Sequence, residues 1–243
     1  MTTLTPTSFQ LGRASLAAGA LFCLSLAVAG IVWAGMETPS QEPASFSGPA
    51  TVVDGDTIDI GGQRIRLEGI DAPETAQTCQ RADGRTWPCG RRASSALAKL
   101  IGGQEVVCDS RGSDKYRRRL AVCFAKGQDI NAAMVKAGMA WAFVRYSDTY
   151  TAEESQARQA LAGVWQGPAE APWEFRHKGW SAAQSSAPNG CAIKGNVSNK
   201  GHIYHMPWSP WYRRVTIEAD RGERWFCSET EAQAAGWRPA FTL

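Results

Sequence analysis

From Thr51 to Glu68 apolar and polar residues alternate, interrupted only at Asp54-Gly55 and at Gly61-Gly62. A period of two belongs to strands with one face buried, and the paired glycines supply the positive φ angles of a two-residue turn. The stretch therefore predicts a β-hairpin with Ile65 and Leu67 on its apolar face and Arg64 and Arg66 on the other. Directly after it comes Ile70-Asp71-Ala72-Pro73-Glu74. Proline fixes its own φ and pushes the residue before it into an extended conformation, so Asp71 and Glu74 are held on a stiff turn.

Helical spacing takes over at Ala93, Ala96, Leu97 and Leu100, with Gly102-Gly103 as its stop. Glu105 to Cys108 and Leu120 to Phe124 read as strands joined by a charged loop. Ile130, Ala133, Met134 and Ala137 mark a second helix closed by Gly138, and Met139 to Val144 a short strand. Ala157, Ala160, Leu161 and Val164 mark a third helix. Clustered strands and helices without regular βαβ alternation predict an α+β fold around a small antiparallel barrel. A composition 44% hydrophobic and 20% charged excludes a disordered chain, and a net charge of +3 tolerates a polyanionic substrate without requiring one.

From Ala14 to Met36 no residue is charged, with Arg13 before the stretch and Glu37 after it. Such a run is long enough for a transmembrane helix, and residues 1–36 are expected to anchor the chain to a membrane. Cleavage as a signal peptide is the alternative, since Val32-Trp33-Ala34 offers small residues at a peptidase spacing. Arg13 places the remainder on the periplasmic or extracellular side. Of seven cysteines, six lie beyond this segment. An even count in an exported chain suggests disulfides. Six cysteines admit many connectivities, and spacing suggests Cys79–Cys89, Cys108–Cys123 and Cys191–Cys227. Zinc is the rival, but no Cys-x-x-Cys occurs. Residues 37–49 and 181–190 lack periodicity and read as linkers, which leaves a main domain over 50–180 and a small module over 191–243.

The charges of the main domain concentrate in three segments: Asp54-Gly55-Asp56-Thr57, Arg66 through Glu74, and Asp114-Lys115-Tyr116-Arg117-Arg118-Arg119. Carboxylates at strand ends offer hard oxygen ligands to Ca²⁺ or Mg²⁺, and arginines present planar forks that match phosphate. In order and spacing these segments resemble the staphylococcal-nuclease-like (thermonuclease) family, from about Ala50 to Trp165 and including Gly127 to Gly138. The resemblance implies an OB-fold barrel of five strands with three helices, and Ca²⁺-dependent cleavage of DNA or RNA that leaves 3′-phosphate ends. It places metal-binding carboxylates on Asp56 and Asp71, a backbone carbonyl ligand on Ala72, and an outer carboxylate on Asp54. It places the general base on Glu74 and the phosphate-binding arginines on Arg66 and Arg118.

One position departs from the family pattern. Arg117 stands where the family has glycine, so the choice of Arg118 depends on strand register, alternate residues facing opposite sides. Tyr116 is expected beside a nucleotide, and Lys115 and Arg117 near the phosphate backbone. Residues 191–243 resemble a small module called the sunset domain. There Cys191, His202, His205 and Cys227 form an alternative zinc set, although their spacing fits no standard finger. The leading expectation is a nuclease outside the cytoplasm with no protein partner inferred. The alternative is a non-catalytic OB-type binding or cell-surface module, against which stands the completeness of the site residues.

Overall fold

A computed structural model describes residues 44–116 and 118–240. They lie within one unit that begins at Gln41. The expected membrane segment, most of the first linker and Arg117 fall outside the described residues. Among the described residues no helix is long and apolar enough to cross a membrane.

The hairpin read from the sequence forms as β2 (Thr57–Ile60) and β3 (Gln63–Leu67), with Gly61 at φ 62° and Gly62 at φ 87° in its turn. It is preceded by β1 (Ser45–Val52), which starts inside the stretch expected to be linker. Alternate β1 residues are half-buried and Phe46, Ala50 and Val52 pack on the core, so the period-two pattern extends further back than the Pro, Ser and Glu composition suggested. After β4 (Ile70–Asp71), β5 (Cys79–Gln80) and β6 (Thr86–Trp87) comes α1 (Cys89–Ile101), which buries Ala93, Leu97 and Ile101. Then follow β7 (Glu105–Ser113), β8 (Arg119–Ala125), β9 (Gln128–Asp129) and α2 (Ile130–Lys136). Asp129 caps α2 by accepting a hydrogen bond from the Ala132 backbone N–H at 2.9 Å.

The main sheet runs β3-β2-β1-β7-β8-β9, and a parallel pairing of β3 with β8 closes it. Five strands thus form a barrel, with β9 as an annex, in agreement with the expected OB-type α+β fold. Ile58, Ile65, Leu67, Val106, Ala121 and Cys123 fill its interior, sealed by Leu97 of α1 and Met134 of α2. Closure leaves no free edge between β3 and β8.

Two elements differ from the sequence reading. Instead of a strand over Met139 to Val144, only β10 (Trp141–Ala142) pairs, antiparallel to β4. The third helix, α3 (Thr151–Gln159), stops before Leu161 and Val164. Leu161 takes φ 49° and is exposed, and the two segments approach so closely that a Cβ on Gly163 would strike the Gly138 carbonyl and one on Gly138 the Ala162 carbonyl. That contact turns the chain, and the Val164 N–H then donates to the Gly138 carbonyl at 2.9 Å.

A helix the sequence reading lacks, α4 (Pro172–Ser186), begins with proline at its first turn and runs into the expected second linker. Only Pro172 and Ala183 of α4 are buried, so it shows no apolar stripe. The C-terminal module contains β11 (Ile193–Ser198), β12 (Gly201–His205), β13 (Arg224–Phe226), α5 (Glu229–Ala234) and β14 (Arg238–Pro239). Its four strands order as β13-β11-β12-β14 over Ile193, Tyr204, Phe226 and Trp237.

All three cysteine pairs suggested by spacing are bonded: Cys79–Cys89, Cys108–Cys123 and Cys191–Cys227. The zinc alternative is not assembled, because His202 stacks on Trp237 and His205 Nε2 pairs with Asn196 Oδ1 at 2.8 Å.

Candidate active site

The Asp54–Thr57 segment is the tight connection between β1 and β2, closed by the Val53 N–H donating to the Thr57 carbonyl at 2.9 Å. Gly55 sits where a Cβ would strike both Ala72 and Ala93, which lets this turn pack against the Asp71-Ala72 segment. Asp56 Oδ2 accepts the Ala72 backbone N–H at 2.7 Å and so ties the two carboxylate-bearing segments together. Asp71 is held from its other side by the short ladder that pairs it with Trp141. Both carboxylates are buried, Asp71 completely.

Burial of carboxylates is costly unless each is paired. Arg66 supplies the pairing for both: Nη1 contacts Asp56 Oδ1 and Nη2 donates to Asp71 Oδ1 at 2.9 Å. The sequence alternation that pointed Arg66 away from Ile65 and Leu67 is what brings it there. Asp54 accepts the Asp56 backbone N–H at 3.1 Å. Burial raises the Asp54 pKa, against the opposing influence of Arg66 and Arg118.

Glu74 follows Pro73 on a turn fixed from three directions. Its backbone N–H donates to Gln77 Oε1 at 3.1 Å, and its carbonyl accepts the Gln77 N–H at 2.7 Å. Gln77 is itself buried and anchored through Nε2 to the Glu170 carbonyl at 2.7 Å. Gly90 in the first turn of α1 lies directly on the Glu74 carbonyl, leaving no space for a Cβ. Burial pushes the Glu74 carboxyl up to about 7, with Arg176 opposing it. A carboxylate near neutrality is suited to exchange a proton at neutral pH.

Arg176 joins this cluster although motif reading missed it. From α4 its Nη1 donates to Glu74 Oε1 at 2.8 Å and to Asp71 Oδ1 at 3.1 Å, while Nη2 donates to Asp71 Oδ2 at 2.7 Å. Burial alone would lower its pKa, but the bonds to Asp71 and Glu74 outweigh that and raise it. Gln77 was missed as well. Neither residue belongs to a short motif, and no signal in the sequence singled them out.

Arg118 acts on Asp54 and Arg66 by charge, while its own hydrogen bonds run to Asp114. Its Nε donates to Asp114 Oδ2 at 2.8 Å and its backbone N–H to Asp114 Oδ1 at 2.9 Å. Its guanidinium carbon lies 5.6 Å from the Tyr116 ring centre, and Lys115 Nζ lies 4.9 Å from the same ring. Arg119, by contrast, is buried with its guanidinium 4.7 Å from the Phe46 ring. The alternation thus separates Arg118 from Arg119, as the register argument expected.

Asp56 and Asp71 with the Ala72 carbonyl are hard oxygen donors of the kind a divalent cation takes. Oδ2 of each aspartate accepts one hydrogen bond, which leaves it a second lone pair. The donor chemistry therefore fits such a cation, although among the described residues no three acidic, histidine or cysteine side chains converge as a ligand cluster. Two arginines meet the aspartate charges instead.

A closed five-stranded barrel with helices, carrying buried aspartates paired with arginines, defines an OB-type α+β protein. The family model described as "Staphylococcal nuclease homologue" matches residues 64–167, and one described as "ArfC" matches 172–239. The chain is 37% identical over 152 residues to the "Micrococcal nuclease" of Shigella flexneri, covering 55% of this chain and 82% of that protein. It is 37% identical to the "Succinoglycan biosynthesis protein ExoI" of Rhizobium meliloti, over 51% of this chain and 66% of that one. An "Uncharacterized endonuclease" of Haemophilus influenzae is 34% identical over 47% and 62% of the two chains. The chain belongs to the staphylococcal nuclease family and is a nuclease, a hydrolase whose substrate is nucleic acid. The segment expected to resemble a sunset domain matches ArfC, and the sunset resemblance has no support beyond the sequence itself.

Proposed function

We propose that this nuclease is a calcium-type phosphodiesterase that acts on DNA or RNA outside the cytoplasm and leaves 3′-phosphate ends. The observation that carries the reading is the arrangement of Asp56, Asp71 and Glu74 around two guanidinium groups, with Glu74 poised near neutrality. Asp56, Asp71 and the Ala72 carbonyl would hold the cation, which supplies polarisation of a phosphoryl oxygen. Glu74 takes the proton of the attacking water. Water then adds to phosphorus in line with the departing 5′ oxygen, whose bond breaks to leave a 5′-hydroxyl on one product and a 3′-phosphate on the other. Arg66 and Arg118 stabilise the charge that builds on the phosphoryl oxygens during this step. Lys115 and Tyr116, beside Arg118, would meet the strand's backbone and a base, and the same role is proposed for Arg117 from the sequence alone.

Three disulfides support placement in an oxidising compartment. Tethering through residues 1–36 is the arrangement we favour, with secretion after cleavage as the alternative. The decisive experiment is Glu74→Gln. Turnover on a labelled oligonucleotide is expected to fall by about 10²–10⁴, with KM little changed. Chelation should abolish cleavage and Ca²⁺ should restore it. Unaltered turnover in the variant would remove Glu74 from the chemistry, and chelator-resistant cleavage would remove the cation.

A further inference from the structure

The catalytic rim of the barrel does not face open solvent on all sides, because the C-terminal segment closes around it. A cavity of about 510 Å³ has two walls of different origin. The barrel wall is the β2–β3 turn with Arg64, Tyr116 and Arg118. The opposite wall is Tyr204, Glu229, Gln233 and Pro239 of the module. A smaller cavity of about 110 Å³ lies where Asp54 and Glu74 face Met206 and Trp208. Tyr204 and Pro239 line both cavities. The β12–β14 edge therefore spans the site, with the proposed base on one side of it and Arg118 on the other.

We propose that the C-terminal module is the second wall of the substrate groove, and that the larger cavity receives one unpaired nucleobase beside the cleaved phosphate. The proposal rests on the nuclease reading and adds to it which part of the chain recognises the strand. Size is the first argument. About 510 Å³ falls in the range of roughly 300–1,000 Å³ typical of small-ligand pockets, enough for a nucleoside but not for a stacked duplex. Chemistry is the second. Arginine charge beside an aromatic face is the combination that grips single strands.

The module wall has the complementary character. Tyr204 Oη donates to Glu229 Oε1 at 2.6 Å and accepts from Gln233 Nε2 at 3.1 Å. The Glu229 carboxylate repels phosphate while Arg64 and Arg118 attract it, so the strand's backbone follows the barrel wall and its base turns toward the module. There the carboxylate of Glu229 and the amide of Gln233 offer the acceptors and donors that base edges require. A duplex would have to expel a base to use this pocket, which costs unstacking and unpairing.

The test uses the full chain with three substrates: a fluorescent single-stranded oligonucleotide, the matching duplex, and a fluorescent abasic strand of tetrahydrofuran phosphodiesters, which has no base. Wild type should cleave the single strand at least about ten-fold more efficiently than the duplex. Gln233→Trp, which fills the cavity, should raise KM for the single strand by about ten-fold and leave hydrolysis of the base-free diester unchanged. If Gln233→Trp also damages base-free hydrolysis, Gln233→Ala decides, with a smaller KM rise expected. Equal cleavage of single strand and duplex, or unchanged KM in both variants, overturns the proposal. Fluorescence anisotropy of the single strand in chelator separates the two readings. Binding that Gln233→Trp weakens, with no diester hydrolysed by any form, would sink the nuclease mechanism and keep the groove, whereas neither binding nor cleavage sinks both.

Discussion

Arg176 carries the greatest weight among single residues, since its guanidinium touches both Asp71 and Glu74. Removing one partner of a buried ion pair commonly costs about 3–5 kcal/mol. Here Arg66 remains on Asp71 and the Arg176 side chain is 25% exposed, so a cost of about 1–2 kcal/mol is the better expectation. Arg176→Gln should lower the melting temperature in chelator by about 2–6 °C. Added Ca²⁺ should recover part of the loss, by meeting the same carboxylates with another cation. A melting curve identical to wild type in chelator would show that the Arg176 contacts contribute nothing. Asp56, Arg66, Asp71 and Glu74 were legible in the sequence because they sit in short motifs whose spacing a hairpin and a proline enforce. Arg176 was not, because 105 residues separate it from Asp71 and a lone arginine on a helix has no pattern to distinguish it.

Among the elements, the β2–β3 hairpin, β7, β8 and the first two helices were readable from their apolar periodicity, whereas a linker-like composition masked the first half of β1. Where the reading failed elsewhere, the cause was a contact that periodicity does not carry. The third helix ends early because Gly163 must meet Gly138, and α4 was invisible because it buries so little of itself. Backbone proximity also governs the base. Gly90 at the start of α1 packs on the Glu74 carbonyl with no room for a methyl group. Gly90→Ala should therefore push the Pro73–Thr75 turn away from the helix. Overpacking of this kind costs about 1–3 kcal/mol, and the displaced carboxylate should lower turnover as well. Denaturant midpoint and kcat measured on the same variant check this; a stable variant with full turnover would mean that the turn tolerates the shift.

For the whole molecule, the three disulfides divide the work unequally. Cys108–Cys123 joins β7 and β8 at directly paired positions and Cys79–Cys89 closes a short loop, with sequence separations of 15 and 10. Cys191–Cys227 spans 36 residues around a module with a much smaller core. Chain entropy assigns the longest loop about 4 kcal/mol and the shorter ones about 3 kcal/mol. Reduction should therefore release the module before the barrel, seen as an early tryptophan-fluorescence transition below barrel melting. A single transition under reducing conditions would show that barrel and module stand or fall together.

The place of β1 in the barrel has a mechanical side. Its first half is laddered to β7, from Ser45 opposite Asp109 to Pro49 opposite Glu105, and its second half to β2, from Ala50 opposite Ile60 to Val52 opposite Ile58. Any tension transmitted from the residues before Ala44 enters along this strand and loads both ladders in shear, many bonds at once. The fold thus grips its leading end as a splice grips a rope, with two ladders sharing the load.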